Sequence, residues 1–394
     1  MPEDASLSVV EADDARWNEY NCLATRSYGH PVADIVRLRR HADARVALRG
    51  GRVVAGGLGV LVPQFFGGQP VPSASLACGC VAPEERGHHL WVRMVAERLR
   101  PLQEQGAVLA TAWSTSTGYG HRMGWAAPVQ VFSWTVPTDE LKRSFDETGF
   151  EITCGTTRQT HAMQRELAAL WNGPWLRPHW WESWQQEEHP DLASYRFSLP
   201  GEEAQGLLSL AFDPHPAEGR QLVVHDFWAA TDRAAAAMFA FLGRYNSRIP
   251  MVAFQRTGLP PVPTLLHNLH RVGSVTARAW HPWMLRILDL PQAVRLRGWP
   301  EDLDITLPLD VAETGESTLQ YVLRITAGTG ELAPATRERE GHLTLTRRQF
   351  AVWYAGGYRT PAAARLAGVR GDPQDVTRLV RVTCDREPWL PEYF

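Results

Sequence analysis

The chain has 394 residues, 44% hydrophobic and 21% charged, with a formal net charge of −3 from 40 basic and 43 acidic side chains. That length exceeds one ordinary core and sets an expectation of three domains. Balanced charge without a basic segment argues against nucleic acid as a partner. A start at Met1-Pro2-Glu3-Asp4-Ala5 without a basic, apolar leader, and no apolar stretch of bilayer length, set the expectation of a soluble, cytoplasmic protein with no membrane partner.

In chain order, residues 6–48 read as a strand followed by helices, with Asp13-Asp14 as an acidic cap. Strands are predicted over 52–63, after the Gly50-Gly51 turn, and over 69–81. Leu90, Met94, Val95, Leu99 and Leu102 recur at helical spacing, and Gly106 stops a helix predicted over 90–105. Short strands over 107–112 and 130–136 follow, so the first domain, 1–137, is an α+β unit.

The pattern restarts at Thr138-Asp139-Glu140 and repeats the same order: a helix over 160–170, strands over 194–199, 207–212 and 222–228, and a helix over 233–245. This sets a second domain at 138–282. A third, 283–394, opens on a strand and helix over 284–294. It carries strands over 303–309, 318–325 and 343–345, helices over 347–353 and 360–367, and a short tail.

Cys22, Cys78, Cys80, Cys154 and Cys384 lack paired C-x-x-C arms and read as free thiols. Cys78-x-Cys80 beside His88 and His89 lacks the spacing of structural zinc sites, so no metal is expected. Of the 16 Trp, many cluster in 171–184, where core packing is the first expectation.

The stretch with the most chemistry in it is Cys80-Val81-Ala82-Pro83-Glu84-Glu85-Arg86-Gly87-His88-His89-Leu90-Trp91, a strand end, an Arg-Gly turn and a helix start. Bare backbone amides at a helix N-terminus suit a pyrophosphate. The stretch resembles the acetyl-CoA loop of the GCN5-related N-acetyltransferases (GNAT), with His89 and Trp91 where that loop carries its second and third small residues. Bulk at so close a contact can cost several kcal/mol, which bears directly on binding of the thioester; protonated imidazoles at His88 and His89 would offer charge instead.

Four further segments extend the resemblance to the Eis (enhanced intracellular survival) family over nearly the whole chain. They are residues 114–125, Val224-His225-Asp226-Phe227-Trp228-Ala229-Ala230-Thr231 with Phe241-Leu242, residues 283–293, and Phe350-Ala351-Val352-Trp353-Tyr354-Ala355-Gly356-Gly357. The resemblance implies tandem GNAT-like domains, the second without a catalytic site, then a sterol-carrier-like domain, assembled as a hexamer. It implies acetyl-CoA as co-substrate, bound by Cys80, Val81, Ala82, Arg86, Gly87, His88 and His89. It implies Tyr119 as general acid and the α-carboxylate of Phe394 as general base. It places Tyr28, His30, Cys78, Trp113 and Trp125 around the acceptor, with the two tryptophans more often core than contact. Thr115 stands where the family carries a glutamate.

Acyl transfer to an amine needs one proton removed from nitrogen and one delivered to the departing thiolate. A terminal carboxylate is a poor base in water and improves when burial raises its pKa. The ending Pro388-Trp389-Leu390-Pro391-Glu392-Tyr393-Phe394 is aromatic and proline-stiffened, suited to docking either for catalysis or for stability alone. Glu392 is the next candidate base. Two readings follow: an N-acyltransferase acting on a small primary amine, or a repurposed GNAT fold running CoA-independent acid/base chemistry (cyclisation, elimination or hydrolysis) on a natural-product intermediate.

Overall fold

The computed structural model describes residues 7–87, 89–114, 117–146, 149–213, 220–255, 258–313, 317–335 and 343–394, and residues 33–35, 117, 119 and 264 through their backbone alone. The chain forms two compact units, one of residues 1–128, 282–385 and 394, the other of 129–281 and 386–393.

The chain opens with β1 (Ser8–Glu11) and α1 (Asp14–Tyr28), which Asp13 caps and Gly29 ends in a left-handed turn. After α2 (Ala33–Leu38) come β2 (Asp43–Arg49), β3 (Arg52–Leu61), the hairpin of β4 (Gln64–Phe66) and β5 (Gln69–Val71), and β6 (Ser73–Val81). The strand expected over 69–81 is thus two, parted at Pro72, which has no N–H to give a ladder. Then follow α3 (Leu90–Glu104), β7 (Leu109–Trp113) and α4 (Thr117–Arg122).

The other unit carries β8 (Phe132–Pro137), α5 (Thr138–Ser144), β9 (Glu151–Cys154), α6 (Arg158–Ala168) and α7 (Trp181–Glu188). It continues with β10 (Ala193–Ser198), β11 (Ala204–Phe212), β12 (Gln221–Ala229), α8 (Asp232–Gly243), β13 (Met251–Phe254), α9 (Thr264–His267) and β14 (Thr276–Ala279). Its sheet runs β14-β8-β13-β12-β11-β10-β9. The core lies between that sheet and α8, whose run of buried residues includes Met238, Phe239 and Leu242.

The chain then returns to the first unit with β15 (Trp283–Ile287), α10 (Leu290–Leu296), β16 (Asp304–Ala312), β17 (Thr318–Thr326), β18 (Thr329–Pro334) and β19 (Leu343–Thr346). Three helices follow: α11 (Arg347–Tyr354), α12 (Pro361–Leu366) and α13 (Pro373–Arg381). One sheet of this unit runs β1-β2-β3-β6-β7-β15, the other β18-β17-β16-β19. Among the described residues, no helix is long and apolar enough to cross a membrane.

Two strand placements differ from the sequence reading. The strand expected over 130–136 in the first domain is β8, which pairs with β13 and β14 in the second unit's sheet. β15, taken as the opening of the third domain, completes the first sheet against β7, where the Trp283 indole donates to Thr111 Oγ1 at 2.6 Å. An apolar strand shows in sequence that it is buried but not which neighbour it pairs with, so a chain that leaves a sheet and returns to it escapes local reading.

Candidate active site

The site of the first unit is built on a break in β6. Gly56 pairs with Cys80 and Leu58 with Ala77, so Cys78 and Gly79 stand opposite Gly57 alone, a β-bulge with Cys78 held at φ 52°. The bulge turns carbonyls out of the ladder, and three side chains take them up. Tyr20 Oη donates to Cys78 O at 2.5 Å and Tyr28 Oη to Gly79 O at 2.9 Å. Arg98, reaching from α3, donates through one nitrogen to Leu58 O and to Ala77 O.

Glycines make these approaches possible. A β-carbon on Gly56 would lie 2.4 Å from the Tyr20 ring, and one on Gly57 would lie 2.4 Å from Cζ of Arg98. On Gly79 it would lie 2.2 Å from the Trp91 indole. Arg98 is buried, and no carboxylate pairs with it among the described residues; burial pushes its pKa down. Burial also raises the Tyr20 hydroxyl well above its ordinary range and the Cys80 thiol to about 12, so neither is poised to ionise at neutral pH. Sequence reading passed over Tyr20 and Arg98. The signal was present as a cation at Arg98 on the apolar stripe of α3, facing a strand with three nearby glycines, Gly56, Gly57 and Gly59.

β6 runs parallel to β7 only from Ser73 to Leu76. Beyond that the two part, and residues 77–81 of β6 have β3 as their sheet partner. An extended amide-bearing ligand could add to such a half-paired strand. At its end Ala82 N–H bonds to Val54 O at 2.8 Å and Arg86 Nε donates to Val81 O at 3.3 Å. His88 lies outside the described residues.

Two residues of the loop stand at positive φ. Gly87 stands at φ 90° and His89 at φ 57°, the latter in the left-handed region that favours glycine, as the N-cap of the 15-residue α3 with no side-chain cap. The His89 side chain is exposed, and the Trp91 indole packs down on Gly79. The groups here that could hold a diphosphate are the main-chain N–H groups at the start of α3 and the Arg86 side chain.

Tyr119, expected in a loop, lies in the short helix α4, which ends at Arg122 and is followed by Gly124 at φ 83°. It belongs to the first unit, as does Phe394, whose side chain is buried. Trp113 ends β7 opposite Trp283, half-buried. Trp125 is a core residue packed with Leu99, Ala110 and Met284. Tyr28 and His30 sit 6.3 Å apart by ring centroid, with His30 Nδ1 2.9 Å from Pro31 O. Through the Tyr28–Gly79 bond the structure joins Tyr28 to the Cys78–Cys80 bulge.

Glu392, the alternative base, is fully buried in the second unit, where its carboxylate accepts from Arg177 Nε at 2.9 Å and from Trp175 N–H at 3.0 Å. The two terminal nitrogens of Arg177 grip Asp226 at 2.6 and 3.2 Å. Burial raises the Glu392 pKa despite Arg177. For Asp226, burial is outweighed by Arg177 and the Trp228 indole, and its pKa is held low. Asp226 thus carries the paired charge and Glu392 takes up a proton first. A carboxyl with a depressed folded pKa stabilises the fold above its unfolded value and loses that contribution as pH falls through the folded one. Asp226→Asn should therefore lower the melting temperature at pH 7, and the gap to wild type should close as pH drops below about 4. A gap constant with pH in calorimetry would refute this charge assignment.

Matches to known proteins agree with this geometry. Two acetyltransferase (GNAT) domain models match residues 8–127 and 173–287, and a sterol carrier protein domain model matches 290–391. These define the class: a GNAT-type acyltransferase with tandem GNAT domains and a C-terminal sterol carrier protein domain. The chain is 26% identical over 358 residues to an uncharacterized N-acetyltransferase of Streptomyces avermitilis, covering 83% of this chain and 82% of that one. A GCN5-related N-acetyltransferase structure from Anabaena variabilis superposes with TM-score 0.85 at 19% identity, covering 99% of this chain and all of that one. Eis1 of Mycobacterium abscessus does so with TM-score 0.74 at 15% identity and the same coverage. In its architecture the chain resembles these GCN5-related N-acetyltransferases, Eis1 among them.

Proposed function

We propose that the chain transfers an acyl group, acetyl in the simplest case, from coenzyme A to a primary amine of a small molecule. The observation that supports this is the pair of positive-φ residues, Gly87 and His89, leading into α3, beside a strand that parts from its neighbour. The thioester would supply an activated acyl group. Arg86 and the N–H groups at the start of α3 would hold its diphosphate, and the half-paired end of β6 would line its amide-bearing arm. The substrate nitrogen attacks as the neutral amine; the Phe394 α-carboxylate takes a proton from that nitrogen as the C–N bond forms, and Tyr119 delivers one to the thiolate as the C–S bond breaks. A hexamer belongs to the same proposal and is checked by light scattering.

A ligand at a hundred times its dissociation constant adds about 2.7 kcal/mol to the folded state. Acetyl-CoA and free CoA should therefore raise the melting temperature of the first unit, and Tyr119→Phe should keep that shift while lowering kcat on the order of 10²-fold. If no CoA species shifts the melting temperature, the bulk at His89 and Trp91 has closed the donor site. The reading then passes to CoA-independent acid/base chemistry in the same cleft.

A further inference from the structure

The second unit holds a receptor for the tail of its own chain. Arg177 uses both terminal nitrogens on Asp226 and keeps Nε for Glu392, whose other oxygen accepts from Trp175 N–H. The guanidinium lies 5.5 Å from the ring centroids of both Trp181 and Trp228, and the Trp228 indole fixes Asp226 at 3.0 Å. Just upstream, Asn172 N–H bonds to Glu387 O and Trp389 N–H to Asn172 O, while the Trp389 ring packs 4.8 Å from that of Trp228. Trp175, Arg177, Asn172 and Trp228 thus reach residues 387–392, and all of these residues belong to the one unit. An Arg–Asp pair alone would satisfy its own charges. The third face of the guanidinium, pre-oriented between two indoles, is a carboxylate seat.

We infer that Arg177, Asp226 and Glu392 form a clamp that positions the chain terminus, Glu392 being the docked carboxylate and Arg177 its seat. Two residues span at most about 7 Å. Fixing Glu392 therefore confines Phe394 and its carboxylate to a small volume, and Pro391 narrows it further. The catalytic consequence rests on the proposed role of that carboxylate as base, whereas the anchoring itself does not. Arg177, Asp226 and Glu392 are positioning residues in this scheme.

The test is release of Phe394 from the full-length protein by carboxypeptidase A, followed by mass spectrometry below the melting temperature. Glu392→Gln keeps the shape and removes the charge; it should speed release on the order of 10- to 100-fold. Arg177→Lys, which cannot serve two carboxylates in fork geometry, should do the same if Glu392→Gln fails to fold. Glu392→Asp, with the charge one methylene short, should bring release back toward the wild-type rate. In parallel, with acetyl-CoA and putrescine as probe substrates, kcat should fall as the release rate rises, while KM for acetyl-CoA stays put. Release at the wild-type rate in both the Gln and Lys variants, or equal rates for Glu392→Gln and Glu392→Asp, would overturn the clamp. Faster release with kcat unaltered would leave the clamp standing and remove the terminal carboxylate as base.

Discussion

Replacing the C-terminal carboxylate of Phe394 with an amide, by ligating a synthetic tail, is expected to lower kcat by about 10²- to 10⁴-fold. The phenylalanine ring is buried and the amide is nearly isosteric with the acid, so packing is retained and the melting temperature should move little. What is lost is the group proposed to take a proton from the attacking amine nitrogen. The pH dependence carries a second signature. If a carboxylate in the free enzyme sets the acidic limb of the kcat/KM profile, amidation removes that limb along with the rate. Glu392 cannot stand in for it, since both its oxygens are engaged, one by Arg177 and one by the Trp175 amide. Full turnover by the amidated enzyme would exclude the terminus from the chemistry and return attention to other groups around the β6 bulge.

Elements whose signals are local were legible. The helix expected over 90–105 is α3 at Leu90–Glu104, because five apolar positions lie within it and the stop, Gly106, lies just past its end. That over 347–353 is α11, with Thr346 and Gln349 closing a capping box. α13 was readable as well, from Asp372 before Pro373, yet escaped notice in a segment taken as tail. Short strands such as β9, β13 and β14, four residues each, carry too little alternation to stand out. The sheet partners of β8 and β15 were out of reach for a different reason, since pairing is a long-range property.

The candidate site divides along the same line. The Arg-Gly turn and the strand end are contiguous, and so is the motif around Tyr119. Tyr20, Arg98 and the bulge are not: they come together from α1, α3, β3 and β6, and Arg98 lies 40 residues from Leu58. The Arg177–Glu392 contact spans 215 residues. A tail glutamate beside aromatic residues invites a catalytic reading; only the buried guanidinium shows that its task is attachment.

Arg98→Met should be the most damaging single change outside the chemistry itself. Methionine keeps most of the stem, so the cavity term is small and the loss falls on the polar end. Leu58 O and Ala77 O lose their shared donor inside the sheet, at about 1–3 kcal/mol for each buried acceptor left alone. Relief of the buried charge offsets part of this, since burial already weighs against the cation. A net loss of about 2–4 kcal/mol remains, or roughly 5–15 °C in the melting temperature of the first unit. Gly57→Ala attacks the same contact from the strand, because its β-carbon would press on Cζ of Arg98. The two changes share one interaction, so the double variant should lose less than the sum of the singles, by about 1 kcal/mol or more. Hydrogen exchange should show the effect first in the β3–β6 ladder around the bulge. Strict additivity, or an Arg98→Met variant melting with wild type, would mean that the bulge holds its shape without the guanidinium, and that the cation is there for an anionic ligand.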